Sequence, residues 1–365
     1  MRNERISQQQ FAQMVYPTMV TTAILFGPPV MASYAGNDLW LSPIWGGIVG
    51  LLTLSVMLSL SRYYPRQTFA QYIQQIIGRI PGKILGLVYL LLQVQLNGWI
   101  VRDYTDFISM FLVQTPSVVI SSTLIFVCAM AVYAGLEALA RSAQFFFLLC
   151  VIPLVITIIL VIKDLQPGNL MPVLAKGVLP SIQGAVYPAA WFSEIFFLFT
   201  FFPFLKNKKS TGSVVRKTLV AGIVTMIVVN VVTLMIVGNN IANLLYPMID
   251  TAKYISIADF LENLESGIMA VWVMGVFVKL SALYYVLALS TASVFGLHSL
   301  RTVVAPLGLL ILVFSQWGFP NFAAISEMRV AICFTLLVFT LFIPFCLLMI
   351  ARFLRQNRRN GVSAP

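Results

Sequence analysis

YPTMVTTAILFGPP (Tyr16–Pro29) and LPSIQGAVYPAAW (Leu179–Trp191) are apolar segments that carry helix-interrupting residues in their interiors. The first holds Pro17, Gly27, Pro28 and Pro29; the second holds Pro180, Gly184 and Pro188. Proline removes a backbone donor and its ring clashes with the preceding turn. In hydrocarbon, the carbonyls it frees must be met by protein, water or a ligand. Either segment alone reads as an ordinary kinked membrane helix. At matching positions of two repeated halves, however, such a pair marks a binding site near the membrane midplane.

The rest of the chain supplies those halves. Of its 365 residues, 59% are hydrophobic and 10% charged, and the mean hydropathy is +0.92. Ordinary globular domains carry about 25% charged residues. A soluble enzyme, a nucleic-acid-binding module and a disordered chain are excluded, because there is too little polar surface to face water. A helix needs about 20 apolar residues to cross the hydrocarbon. Ten such stretches occur, at 11–35, 40–61, 84–112, 117–136, 143–162, 178–204, 216–238, 267–296, 302–319 and 329–352. The expected class is an all-α integral membrane protein with ten transmembrane helices.

Five is odd, so a second set of five enters the membrane from the opposite side. The expected architecture is a five-plus-five inverted repeat with discontinuous helices 1 and 6. Its parts are a polar N-terminus (1–10), a first repeat (11–162), an outer connection (163–177), a second repeat (178–352) and a basic tail (353–365). Basic residues, among them Arg5, Arg62, Arg66, Arg79, Lys206, Lys208, Lys209 and Arg355, fall on the side of the termini. Acidic residues such as Asp38, Asp106, Asp164 and Asp250 fall on the other. The positive-inside rule then places both termini in the cytoplasm. The +11 net charge is thus a topology signal rather than a sign of a nucleic-acid partner.

Two loops have helical periodicity of their own. Gln67–Gly78 places Phe69, Tyr72, Ile73, Ile76 and Ile77 on one face, as suits a helix lying in the cytoplasmic interface. On the outer side, 246–266 contains a second amphipathic segment, with Ser256 and Asp259 forming a capping box before Phe260, Leu261 and Leu264.

Two ionisable residues lie deep in the spans. Glu194 comes 12 positions before Lys206, and Lys279 comes 12 positions after Gly267. At about 1.5 Å per residue both sit roughly 18 Å from a membrane face. Each costs on the order of 2.5–3.5 kcal/mol there by insertion scales. Their shared depth permits an ion pair, which is either an architectural bridge or a polar element beside a substrate. In the second case Lys279 stands in for a coupling cation, and Glu194 is a proton acceptor or an anchor for the unwound segment. Gln93, Gln95 and Asn97 add a polar path through the third span.

Elsewhere the chemistry is sparse. Cys128, Cys150, Cys333 and Cys346 all lie in apolar runs without metal spacing and read as buried filler. His298, the single histidine, sits at a span end and reads as interfacial. With no HExxH and no GxSxG, neither an enzyme, a metal site nor a cofactor is expected.

Several motifs resemble a known family. They are ISQQQF (Ile6–Phe11), AGNDLWLS (Ala35–Ser42), WFSE (Trp191–Glu194), the KNKKS loop, LYPMID (Leu245–Asp250) and FLENLES (Phe260–Ser266) followed by Val271–Trp272. In order and spacing they resemble the B subunit of spore germinant receptors, the GerAB-type spore permeases. That family belongs to the amino acid–polyamine–organocation transporter superfamily. The resemblance covers essentially the whole chain. It implies a protein of the spore inner membrane that works with the receptor's A and C subunits. It also implies that a small germinant, commonly an amino acid, binds at Thr21, Thr22, Ala23, Leu92, Leu96, Trp191, Glu194 and Lys279. Relatives usually carry glycine in the first unwound stretch; here Val20–Ala23 has none. Close backbone approach is harder with a Cβ present, and threonine hydroxyls are the alternative donors. The main reading is therefore a nutrient sensor built on a transporter fold. The alternative is a proton-linked amino-acid permease.

Overall fold

The computed structural model describes residues 4–253, 264–318 and 322–361. Eight stretches among them are long and apolar enough to cross a membrane. One, Gln8–Tyr63, contains two crossings joined by a tight turn at Gly36–Leu41, and the 17-residue helix Arg301–Trp317 adds a tenth. In order, spans one to five are Gln8–Ala35, Ser42–Tyr63, Arg79–Ser109, Ser117–Ala134 and Leu136–Leu160. Span six occupies Leu179–Phe204 in several pieces, and span seven is Thr211–Val237. Spans eight and nine are Leu264–Phe295 and Arg301–Trp317. Span ten runs from Phe322 through a π-helical turn at Val338–Phe342 to Gly361. The protein is an all-helical, multi-pass membrane protein, as its composition requires.

Span one departs from the expected break. Its geometry is helical without interruption from Gln8 to Ala35, so Val20–Ala23 is wound rather than unwound. Pro17, Pro28 and Pro29 are accommodated inside the helix. The physical reason is local: that stretch has no glycine to release the backbone, and Ser7 with Gln10 closes a capping box that fixes the helix start. Span six does break. It passes from Leu179–Gly184 to Val186–Ser193, then Ile195–Leu198, and ends in a 3₁₀ segment at Phe199–Phe204.

Small residues let the innermost helices approach closely. A Cβ on Gly46 would lie 2.6 Å from the Ala189 nitrogen, and one on Gly50 would lie 2.7 Å from Phe192 Cβ. Span two is thereby pressed against the middle of span six. The segment 67–78 forms the helix Phe69–Ile77, capped by Thr68 and Gln71. Its apolar face is covered by protein rather than by lipid: the Phe69 ring is 4.7 Å from Tyr89 and 4.6 Å from Phe196.

The connection 163–177 is stitched to the turn after span one. The Asp38 carboxylate, itself buried, accepts the Leu174 N–H at 2.9 Å, and Asn37 Nδ2 donates to the Met171 carbonyl at 2.8 Å. On the face of the termini, Ile6 forms a parallel bridge with Leu205 at the end of span six. The capping box at Ser256 and Asp259, with Phe260 and Leu261, lies outside the described residues; Leu264 opens span eight.

Candidate functional site

Glu194 sits at the joint between the second and third pieces of span six. There the backbone tightens to i→i−3 bonding: the Glu194 N–H donates to the Trp191 carbonyl at 3.1 Å, and the Phe197 N–H donates to the Glu194 carbonyl at 3.0 Å. Lys279 approaches from span eight, and its Nζ lies 2.7 Å from Glu194 Oε2. The same ammonium donates to Thr22 Oγ1 of span one at 2.8 Å. One lysine therefore ties three spans together. Both charged side chains are almost wholly sealed, at 1% and 2% exposure. The pair is stable only because each charge is compensated; an isolated charge there would be expensive.

Neighbouring groups position this network. Thr21 packs its hydroxyl over Gly275, where an added Cβ would meet Oγ1 at 2.5 Å. The Thr21 carbonyl accepts the Trp272 indole N–H at 3.1 Å. Ala23 is fully buried. Trp191 lies against Gly27 of span one, its ring within 3.3 Å of the place a Cβ would take. Ser193, next to Glu194, lies 2.8 Å from the Thr340 hydroxyl in the π-helical turn of span ten.

Two aromatic layers cap the network. Towards the face opposite the termini, Trp272 is 4.4 Å from Phe107, 5.9 Å from Tyr104 and 6.2 Å from Phe26, and Tyr246 joins at 5.1 Å from Phe107. Towards the termini, Tyr89 stacks on Phe196 at 5.5 Å and meets Phe339 at 5.3 Å, with Phe69 beneath. The Tyr89 hydroxyl donates to the Phe339 carbonyl. The charged pair is thus occluded from both membrane faces. These layers were not read from the sequence. The only signal was the density of aromatic residues at helical spacing, which ordinary core packing also produces.

The third span divides its predicted residues between two faces. Gln93 and Asn97 are buried on the face that carries Tyr104 towards span eight. Leu92, Gln95 and Leu96 instead line a cleft of about 150 Å³ with Ala331, Ile332, Thr335 and Leu336 of span ten. A separate apolar recess of about 80 Å³ lies between spans one, five and eight; it includes Thr21 and Trp272 but neither member of the charged pair.

Other titratable groups are set apart from this pair. Arg102 pairs with Asp106 at 2.9 Å, partly exposed. His298 lines a cavity of about 260 Å³ on the face of the termini with Glu4, Tyr133, Tyr285 and Arg301. Lys208, in the loop after span six, donates to the Pro65 carbonyl at 2.5 Å. Partial burial, then the charges of Arg66 and Arg5, hold its ammonium below the usual lysine pKa. Cys128 and Cys150 point their thiols at the Phe277 and Val271 carbonyls of span eight, as packing residues do. Among the described residues no group of His, Cys, Asp and Glu has the geometry of a metal site.

The chain is similar to solved transporters in fold. MhsT, solved in complex with L-phenylalanine, superposes with a TM-score of 0.67 at 13% identity, covering 95% of this chain and 89% of MhsT. A Na+-coupled sialic acid symporter in a substrate-bound outward-open state gives 0.65 at 11% identity, covering 93% and 80%. Among curated proteins, spore germination protein KB of Bacillus subtilis (strain 168) is 26% identical over 378 residues, spanning 99% of this chain and 98% of its own length. Spore germination protein YndE of the same organism is 24% identical over 300 residues, spanning 80% and 81%. The family model described as spore germination protein, the spore permeases, matches residues 5–323. With the ten-span fold and full-length similarity to germination proteins, the chain belongs to the spore permease family.

Proposed function

We propose that this chain is the transporter-fold subunit of a spore germinant receptor. It binds a small nutrient germinant, an amino acid, at the midplane of the spore inner membrane and signals germination through the receptor's A and C subunits. The observation that carries this reading is the sealed Thr22–Lys279–Glu194 network. Ionisable residues are retained at mid-membrane where they serve an ion, a proton or a ligand. Here they sit at the joint of the broken span and between two aromatic layers.

A tethered ammonium bridging spans one and six takes the place of a mobile coupling cation. Ligand entering beside Thr21, Thr22, Ala23, Trp191 and Glu194 biases the joint of span six between two conformations, and the partner subunits read that bias. Glu194 serves as the proton acceptor when the pair opens. Both termini lie in the cytoplasm, on the side rich in Lys and Arg.

The test is binding against uptake. Membranes holding this protein with its partner subunits should retain radiolabelled germinant, with little net uptake into vesicles. Concentrative uptake by the isolated chain would favour a proton-linked permease instead. Glu194→Gln keeps an acceptor for Lys279, so the protein should accumulate while the nutrient response is lost. An unchanged dose dependence would remove Glu194 from the site.

A further inference from the structure

Span three presents two buried amide oxygens that no donor among the described residues satisfies. Asn97 is fully buried, and its Nδ2 donates to the Gln93 carbonyl at 2.7 Å. That bond fixes the amide's orientation, because a carbonyl cannot accept from Oδ1. Asn97 Oδ1 and Gln93 Oε1 are left without a donor among the described residues. Burying such an acceptor unpaired is costly, so a donor is expected to reach it.

Their level in the membrane follows from packing. Near one end, Tyr104 of span three stacks on Trp272 of span eight. Near the other, a Cβ on Gly86 would meet Val294 at 3.1 Å. The two helices are therefore antiparallel, and Asn97 lies level with residues 279–283. Seven residues are two helical turns, so Asn97 shares a face with Tyr104 just as Lys279 shares one with Trp272. Asn97 Oδ1 thus lies near the level of the charged pair, with Gln93 Oε1 about one helical turn nearer the termini. Span one, meanwhile, offers no freed N–H groups at Val20–Ala23, since those residues are helical.

We infer that Asn97 and Gln93 form the donor-reading end of the solute site: they accept hydrogen bonds from the ammonium or hydroxyl group of a small neutral or zwitterionic ligand. This rests on the proposed solute-binding function and assigns which end of the solute is recognised. An unpaired acceptor pair discriminates sharply, because a ligand without a donor leaves both oxygens buried and bare.

The experiment uses membranes carrying the full chain with its receptor subunits. Tritiated proteinogenic amino acids and D-glucose are screened first. Each one that binds is then compared with its N,N,N-trimethyl form, which has the same net charge and no N–H, or for glucose with its permethyl ether. Loss of the donors should weaken binding about tenfold or more. In Asn97→Leu the parent solute should itself bind about tenfold more weakly, and the parent-to-methylated ratio should shrink towards one. Gln93→Leu is the second variant, should Asn97→Leu not accumulate. Equal binding of parent and methylated forms, or an undiminished ratio in both variants, would overturn the assignment and show that ordered water satisfies the oxygens. If no parent solute binds at all, the solute-binding function itself fails, which is a separate result.

Discussion

Glu194 and Lys279 are each buried to within 2% of complete exclusion, so deleting one strands the other. Glu194→Leu or Lys279→Met alone should destabilise the protein by about 3–5 kcal/mol. The double substitution should recover most of that loss, because a well-packed apolar pair often replaces a buried ion pair at little cost. Thermal unfolding of the detergent-solubilised chain measures both singles and the double. Additive losses would mean that the 2.7 Å contact contributes no coupling. The two charges were legible because an ionisable residue stands out against an apolar run. Thr22 was legible only through its family position. The facing of Leu92 and Leu96 towards span ten was not legible at all. Which side of span three meets which neighbour is set by helix phase across the bundle, and local sequence does not encode it.

At the level of elements, the ten stretches read from hydropathy match ten helices one for one, most limits falling within about five residues. Span five, however, begins at Leu136 rather than 143, and span ten runs from Phe322 to Gly361 rather than over 329–352. The continuity of span one was harder to read. Proline marks where a hydrogen bond is lost but not whether the axis breaks, which depends on what packs alongside. Spans two and six meet through backbone as well as side chains. A Cβ on Gly46 would lie 2.6 Å from backbone nitrogen, an atom that cannot rotate away. Gly46→Ala should therefore cost about 1–3 kcal/mol as the helices are forced apart. Gly36→Ala, where no atom lies within 4 Å of the added Cβ, is the contrast for steric effects, although its positive φ adds its own strain. A melting temperature for Gly46→Ala equal to that of the parent would show that spans two and six separate freely.

For the whole molecule, the charged core is closed on both sides by aromatic side chains, and access requires one layer to open. Trp272 anchors the layer opposite the termini through its rings and its N–H bond to Thr21. In Trp272→Phe the indole bond is lost while a ring remains. Solute association and dissociation should both accelerate, by about tenfold for each ~1.4 kcal/mol removed from the opening barrier, while the Kd moves little. Filter-binding chase experiments follow both rates. A slowed or unchanged dissociation would place the gate elsewhere. The opposite side has its own fastening: the Glu4 carboxylate accepts the Leu136 N–H at 2.9 Å and the Tyr285 hydroxyl at 3.3 Å. Here a polar residue before the first span holds the start of span five and the half of span eight nearer the termini, a role that composition alone hides.

The π-helical turn at Val338–Phe342 spends one residue more than an α-helical turn needs. Excising Leu341 would let that stretch relax to ordinary winding with the flanking halves still in phase, so Arg355 would keep its seat over the Tyr63 ring. The same excision in a regular stretch of span ten would swing everything beyond it by roughly 100° about the axis. Length variation along this crossing is thus tolerable where the surplus already exists, beside the hydroxyl pair of Thr340 and Ser193.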